Sequence, residues 1–216
     1  MCYFIREEKI PRPVADAGTE GKDASADLKQ YSQIGAFFVE RFPALPCRIG
    51  ERNITMGFFS KLFGQKDDAL FAPMAGTAVP VTEVPDPTFS TGMLGDGIAI
   101  EPTDGKVLAP CDATVDTMFA TGHAVSLVAD CGAEVLIHVG LETVGLQGKG
   151  FTIHAQNGQK VKKGDLLIEA DLEAIKAAGL NTITSVLVCN SGDFKKFEKS
   201  TGSAVTNDDA VIRLAK

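Results

Sequence analysis

The chain has 216 residues, 44% of them hydrophobic, with 21 Lys and Arg against 28 Asp and Glu for a net charge of −7. That length suffices for one packed domain plus an extension, or for two small domains, and no apolar run approaches the ~20 residues needed to span a bilayer. The acidity argues against a nucleic-acid role, because phosphate backbones demand a basic face, and it favours a partner with a basic surface.

The charge is unevenly placed. Residues 1–55 carry 8 basic and 8 acidic side chains, so the whole excess lies in residues 56–216, with 13 basic and 20 acidic. Met1 to Pro13 is charged and lacks the apolar core of a secretory signal. The five cysteines (Cys2, Cys47, Cys111, Cys131 and Cys189) are odd in number and widely spaced, with no C-x-x-C. This predicts reduced thiols in the cytoplasm rather than a disulfide frame or a structural zinc site.

Along the chain, Ala15 to Gln30 is polar and reads as disorder, and Ile34 to Phe42 reads as a short helix broken by Pro43 and Pro46. At Met56 the text changes. MGFFSKLFGQKDD sets Phe58, Phe59, Leu62 and Phe63 at helical spacing beside Lys61 and Lys66, which fits either a surface-seeking helix or one docked on its own domain. Peripheral membrane contact through residues 56–66 follows from the first reading. The expected division is an extension over 1–55, an amphipathic segment over 56–69 and a domain over 70–216. Met56 is expected to be the true initiator, with residues 1–55 translated upstream sequence.

From Phe71 onward the signals are β. Short apolar runs punctuated by Gly, Pro or Asp fall at Thr77–Val84, Gly97–Pro102, Lys106–Ala109, Thr114–Phe119, Ala124–Ala129 and Glu134–Val139. Others fall at Gln159–Val161, Leu166–Ala170, Ile183–Val188 and Val211–Leu214, with short helices predicted at Asp171–Ala178 and Gly192–Lys199. The fold class is therefore all-β: an antiparallel sandwich or barrel-sandwich hybrid with a few short helices. An internal echo supports duplication, because FAPMAGT from Phe71 and LAPCDAT from Leu108 share a pattern 37 positions apart and both lead into a strand.

The most informative stretch is Phe119 to Thr143, which holds His123 and His138 on either side of the turn signal Asp130-Cys131-Gly132. A period of two places Glu134, Leu136 and His138 on one strand face. Paired as a hairpin, the two runs would bring both imidazoles to one surface. Two imidazoles there suggest proton-coupled, phosphoryl or metal chemistry. The chain shows neither a G-x-x-x-x-G-K-[ST] phosphate loop nor an H-E-x-x-H metal motif.

The phrases MGFFSKLFG, APMAGTAVPVTEVPD, LGDGIAIEPTDGKVLAPCDATV, TGHAVSL, GAEVLIHVGLETV, LQGKGF, GQKVKKGD and VIRLAK occur in order through residues 56–216. Together they resemble the glucose-family enzyme IIA (EIIA) of the phosphoenolpyruvate-dependent sugar phosphotransferase system. The resemblance implies a phosphocarrier. His138 would take a phosphoryl group on its outward nitrogen from the small carrier HPr and pass it to the cysteine of a separate EIIB domain. His123 would be its partner histidine, Thr121 would orient His123, and the carbonyl of Gly140 would hold the other ring N–H of His138. No cofactor is implied.

The same resemblance implies an apolar docking patch of Phe89, Met93, Leu94, Phe119, Leu136 and Val144, with Asp86 and Glu142 in an acidic rim facing HPr. Glu142 stands where the family often has Asp. Some family members also bind permeases or metabolic kinases when unphosphorylated, at times with an intermolecular zinc at the two histidines. The alternative reading is a zinc hydrolase on a related scaffold with His123, His138 and His154 as ligands. Against it, the H-x-H pair and added Asp of such enzymes are absent, and His154 reads as a surface residue.

Overall fold

A computed structural model describes residues 68–216, which lie within one compact unit. The readings of residues 1–55, of the 56–66 helix and of Met56 as initiator lie outside the described residues. Among the described residues, no helix is long and apolar enough to cross a membrane.

Short strands with frequent glycine turns give an antiparallel β-sandwich, as the residue pattern predicts. The strands in chain order are β1 (Asp68–Phe71), β2 (Gly76–Pro80), β3 (Asp96–Pro102), β4 (Lys106–Leu108) and β5 (Ala113–Met118). Then come β6 (Ala124–Ala129), β7 (Glu134–His138), β8 (Phe151–Ile153), β9 (Lys160–Val161) and β10 (Leu166–Ala170). The last four are β11 (Thr184–Val188), β12 (Lys196–Lys199), β13 (Ser203–Val205) and β14 (Ala210–Ala215). One eight-stranded sheet runs β13-β2-β3-β11-β7-β6-β5-β9, and two three-stranded sheets run β1-β14-β12 and β4-β10-β8.

The alternation of side chains gives the large sheet two apolar faces. Val135 and Ile137 of β7, Val186 and Val188 of β11, and Ile98 and Ile100 of β3 enter the main core. There they meet Leu70, Ile212 and Leu214 of one small sheet and Val107 and Ile168 of the other. On the opposite face Leu136, Leu187 and Ala99 pack with Ala124, Phe89, Val81, Val84, Leu141 and Ile183 in a second, smaller cluster. β7 lies between β6 and β11, so both of its edges are paired, while the two clusters pack on its two faces.

The echo has a structural counterpart. Phe71 N–H donates to the Pro110 carbonyl at 2.9 Å, and Leu108 N–H donates to the Pro73 carbonyl at 2.8 Å. The first residue of each copy thus bonds the third residue of the other, a local pseudo-two-fold arrangement, and the copies lead into β2 and β5.

Two expectations need correction. Gly192–Lys199 is not a helix: a 3-10 turn covers Ser191–Asp193, and Lys196–Lys199 is β12, paired with β14 so that Phe197 lies opposite Leu214. Phe194 and Phe197 are three apart and mimic helical spacing, but the C-terminal strand offers a longer ladder, and tertiary pairing overrides local pattern. The run Thr77–Val84 also stops short as a strand. β2 ends at Pro80, which has no N–H to continue a ladder, and Val81–Glu83 forms a 3-10 turn. The short strands β1, β8 and β13 carry too little pattern to be read alone.

Gly97 marks a close approach between β3 and β11. A Cβ there would lie 2.0 Å from the Val186 carbonyl oxygen, an atom of the neighbouring strand's backbone. Gly97→Ala should therefore push these strands apart and lower stability by about 2 kcal/mol or more, read as a drop in the urea midpoint.

Candidate functional site

The turn at Asp130-Cys131-Gly132 closes the β6–β7 hairpin: Gly132, at φ 86°, donates to the Ala129 carbonyl at 2.8 Å. The resulting register sets Ala124 opposite His138, and Val139 N–H reaches the His123 carbonyl at 2.8 Å. The two imidazoles, 15 positions apart in sequence, meet with ring centroids 5.0 Å apart at an interplanar angle of 78°.

Each ring is held by its Nδ1. His138 Nδ1 donates to the Gly140 carbonyl at 2.9 Å. A carbonyl can only accept, so the ring proton sits on Nδ1 and Nε2 carries the lone pair. Gly140 takes φ 71°, and a Cβ there would fall 2.6 Å from Thr143 Cγ2 and 2.8 Å from the Asn181 carbonyl, so the turn that aims this carbonyl admits only glycine. Thr143, fully buried, ties the same turn by donating to the Val139 carbonyl at 2.6 Å. His123 Nδ1 lies 2.5 Å from Thr121 Oγ1.

Both histidines are 3% exposed. Burial lowers the His138 pKa to about 4, against the opposing influences of the Gly140 hydrogen bond and the Asp86 charge. Burial, with His138 beside it, lowers His123 to about 3. Both rings are therefore neutral at pH 7.

The expected patch divides by depth. Met93 is 78% exposed, and Leu94, Phe119 and Val144 are half-buried. Phe89 and Leu136, expected to face a partner, are instead 3% exposed. They belong to the second core cluster, and the Phe89 ring lies 5.0 Å from that of His138, so they form the floor and wall of the site. Phe119 stacks edge-on to His123 at 5.3 Å. The acceptor nitrogen also departs from expectation: Nε2 of His138 has less than 1 Å² of accessible surface and no hydrogen-bond partner. The rings of Phe89 and His123 pack against the imidazole, each 5.0 Å from it, and the nitrogen does not reach solvent.

Asp86 does more than charge the rim. Its carboxylate accepts from Thr88 N–H at 2.8 Å and so caps the helix Pro87–Ser90 that carries Phe89. Glu142 is exposed at the rim, in the left-handed region at φ 58°. His154 is exposed just beyond β8, on a different sheet, with Nε2 2.8 Å from Glu169 Oε2. The three histidines thus do not converge, and among the described residues no group of three or more His, Cys, Asp or Glu could hold a metal. A zinc ion at His123 and His138 would need further ligands from a partner.

One site residue gave no sequence signal. Ser185, inside a run read only as an apolar strand, lies opposite His138 in the β7–β11 ladder. Nothing in the spacing of residues 138 and 185 announces the pairing.

Residues 68–194 match the family model described as phosphoenolpyruvate-dependent sugar phosphotransferase system, EIIA 1. The chain belongs to that family. It is 42% identical over 159 residues to the glucose-specific EIIA component of Buchnera aphidicola, covering 74% of this chain and 99% of that one. It is 43% identical over 158 residues to the Bacillus cereus counterpart, covering 71% and 96%. The EIICBA component of Streptococcus pneumoniae, in which EIIA is part of a larger chain, is 42% identical over 199 residues, covering 91% of this chain and 26% of that one. Among solved structures, the glucose permease IIA from Mycoplasma capricolum superposes with a TM-score of 0.61 at 30% identity, covering 73% and 99%. This EIIA is accordingly a glucose-type phosphocarrier of the sugar phosphotransferase system, and nothing supports the zinc-hydrolase alternative.

Because the folded imidazoles resist protonation, the sign of the pH dependence is set. Their neutrality contributes nothing adverse above the unfolded histidine pKa of ~6.5; below it the unfolded chain binds protons that the native site refuses. Stability should hold from pH 8 to about 6.5, then fall by roughly 1 kcal/mol per pH unit for each imidazole on the way to pH 4. Thermal melts of wild type and His123→Gln check this, with the wild type losing more between pH 7 and pH 5.

Proposed function

We propose that Nε2 of His138 is the atom that carries the phosphoryl group, receiving it from phosphorylated HPr and passing it to the cysteine of an EIIB domain. The observation that carries this reading is the Nδ1 bond to Gly140, which leaves a neutral ring with its lone pair on Nε2. In the first step the bond from phosphorus to the donor breaks as the bond to Nε2 forms, and the proton stays on Nδ1, still donated to the Gly140 carbonyl. The ring then bears positive charge beside a dianionic group. In the second step the thiolate of EIIB takes the phosphoryl group and His138 returns neutral. No metal or nucleotide enters either step.

His123 serves the phosphoryl group. With the Thr121 hydroxyl donating to Nδ1, its proton sits on Nε2, and its ring lies 5.0 Å from that of His138, close enough for that N–H to serve a group on the neighbouring ring. A neutral donor steadies the spread negative charge of a loose transition state without holding the product as tightly as a cation would. Docking must also shift a side chain at the site, because Nε2 has under 1 Å² open in the free chain. The exposed Met93 and half-buried Leu94, Phe119 and Val144 form the apolar surface on which a partner would press, with Asp86 and Glu142 facing its basic groups. Relatives that join EIIA with EIIB and EIIC in one chain support an EIIB acceptor. The free thiols of Cys111, Cys131 and Cys189 fit a reducing cytoplasm.

Incubation with phosphoenolpyruvate, enzyme I and HPr should add one acid-labile, alkali-stable phosphate at His138, read by intact mass. His138→Ala should gain none. His123→Gln should still accept from HPr but pass phosphate to EIIB at least about tenfold more slowly. Equal loss of both steps would contradict the division of roles between the rings.

A further inference from the structure

Ser185 lies at the centre of the large sheet, opposite His138 of β7 on one side and Ala99 of β3 on the other. Directly opposed residues share a face, with Cβ atoms ~4.5–5.5 Å apart. The hydroxyl therefore stands on the face that bears His138, Leu136 and Leu187. It is 1% exposed.

Among the described residues, two buried side-chain polar atoms have no hydrogen-bond partner, and they are Ser185 Oγ and His138 Nε2. The neighbouring hydroxyls are all engaged. Thr184 donates to the Thr182 carbonyl at 3.1 Å, Thr143 to the Val139 carbonyl at 2.6 Å, and Thr121 meets His123. A buried hydroxyl left unpaired is destabilising, and Ala or Val would fill this strand position without that cost. Ser185 and His138 do not bond each other in the resting chain, so both lack something that would fit beside the ring. A docking protein cannot reach a side chain 1% exposed, whereas a small group delivered onto the adjacent ring nitrogen can.

We propose that Ser185 is a phosphoryl-binding residue, its hydroxyl donating a hydrogen bond to a phosphoryl oxygen once that group sits on Nε2 of His138. The inference rests on the reading of His138 as the phosphoryl carrier. No bond forms to Ser185 Oγ itself. The donor complements His123: one neutral N–H and one neutral O–H approach the group from the residue just before β6 and from β11, on either side of β7. Each steadies the negative oxygens, and neither adds the positive charge that would trap the phosphate.

The test uses the full chain as wild type, Ser185→Ala and Ser185→Thr, each charged with phosphoenolpyruvate, enzyme I and HPr and then freed of them. Loss of the phosphohistidine is followed by intact mass, beside a thermal melt of the uncharged protein. Ser185→Ala should melt at or above the wild-type temperature, since it removes an unpaired hydroxyl, yet lose phosphate roughly tenfold faster. Ser185→Thr, which keeps the hydroxyl, should hold phosphate about as long as wild type. A Ser185→Ala lifetime within twofold of wild type would overturn the proposal, as would equal loss in both variants or an acid-stable phosphate on Ser185. Those outcomes leave His138 as the carrier. That broader reading fails only if wild type takes up no phosphate or His138→Ala still does.

Discussion

A single hydrogen bond, from Nδ1 of His138 to the Gly140 carbonyl, decides what the site can do. In water an imidazole exchanges protons between two nitrogens and takes up a second near pH 6.5. Here the carbonyl pins one proton to one nitrogen, and burial holds the ring far below its ordinary pKa, at about 4. What remains is a neutral ring with one lone pair in one direction at neutral pH. Much of the surrounding structure serves that bond. The left-handed Gly140, the buried Thr143 and the Asn181 carbonyl packed against the turn all fix where the acceptor oxygen lies.

The strand beneath the bond is equally constrained. β7 is paired on both edges, and its alternate residues go to different clusters: Val135 and Ile137 to the main core, Leu136 to the smaller one. His138 shares the face of Leu136, so its ring stands on the side of the smaller cluster. A ring at a flexible tip would visit many orientations; one on a doubly paired strand is preorganised. The same burial makes hydrogen bonds within the site count for more, because water competes for them less. A shallow cluster over a deep core thus reconciles rigidity with access from one side.

Access remains the cost of this arrangement. An acceptor nitrogen with under 1 Å² exposed is protected from stray protonation and from water, and is reached only when an apolar side chain yields. Met93 is almost wholly in solvent, whereas the helix Pro87–Ser90, one turn long and capped by Asp86, sets the buried Phe89 against the ring.

Much of this was legible in the residues themselves. Gly, Pro and Asp punctuation with period-two apolar runs marked most of the strands, and the Asp130-Cys131-Gly132 turn brought His123 and His138 together, because a hairpin joins residues close in sequence. Phrases such as LIHVG and TGHA hold the ring partners seen in the structure, since a turn glycine and a nearby threonine are local neighbours of their rings. Depth was not legible. Phe89 and Leu136 look like any surface aromatic or aliphatic until two sheet faces and a capped turn close around them. Nor was the β12 strand, which depends on a C-terminal partner, or Ser185, which meets His138 only because β11 docks beside β7. The sequence alone determined which groups could react and which neighbours would hold them, because those contacts span a few residues. The tertiary structure alone decided how deeply the nucleophile is buried and which distant hydroxyl faces it, because both depend on ladders between strands far apart in the chain.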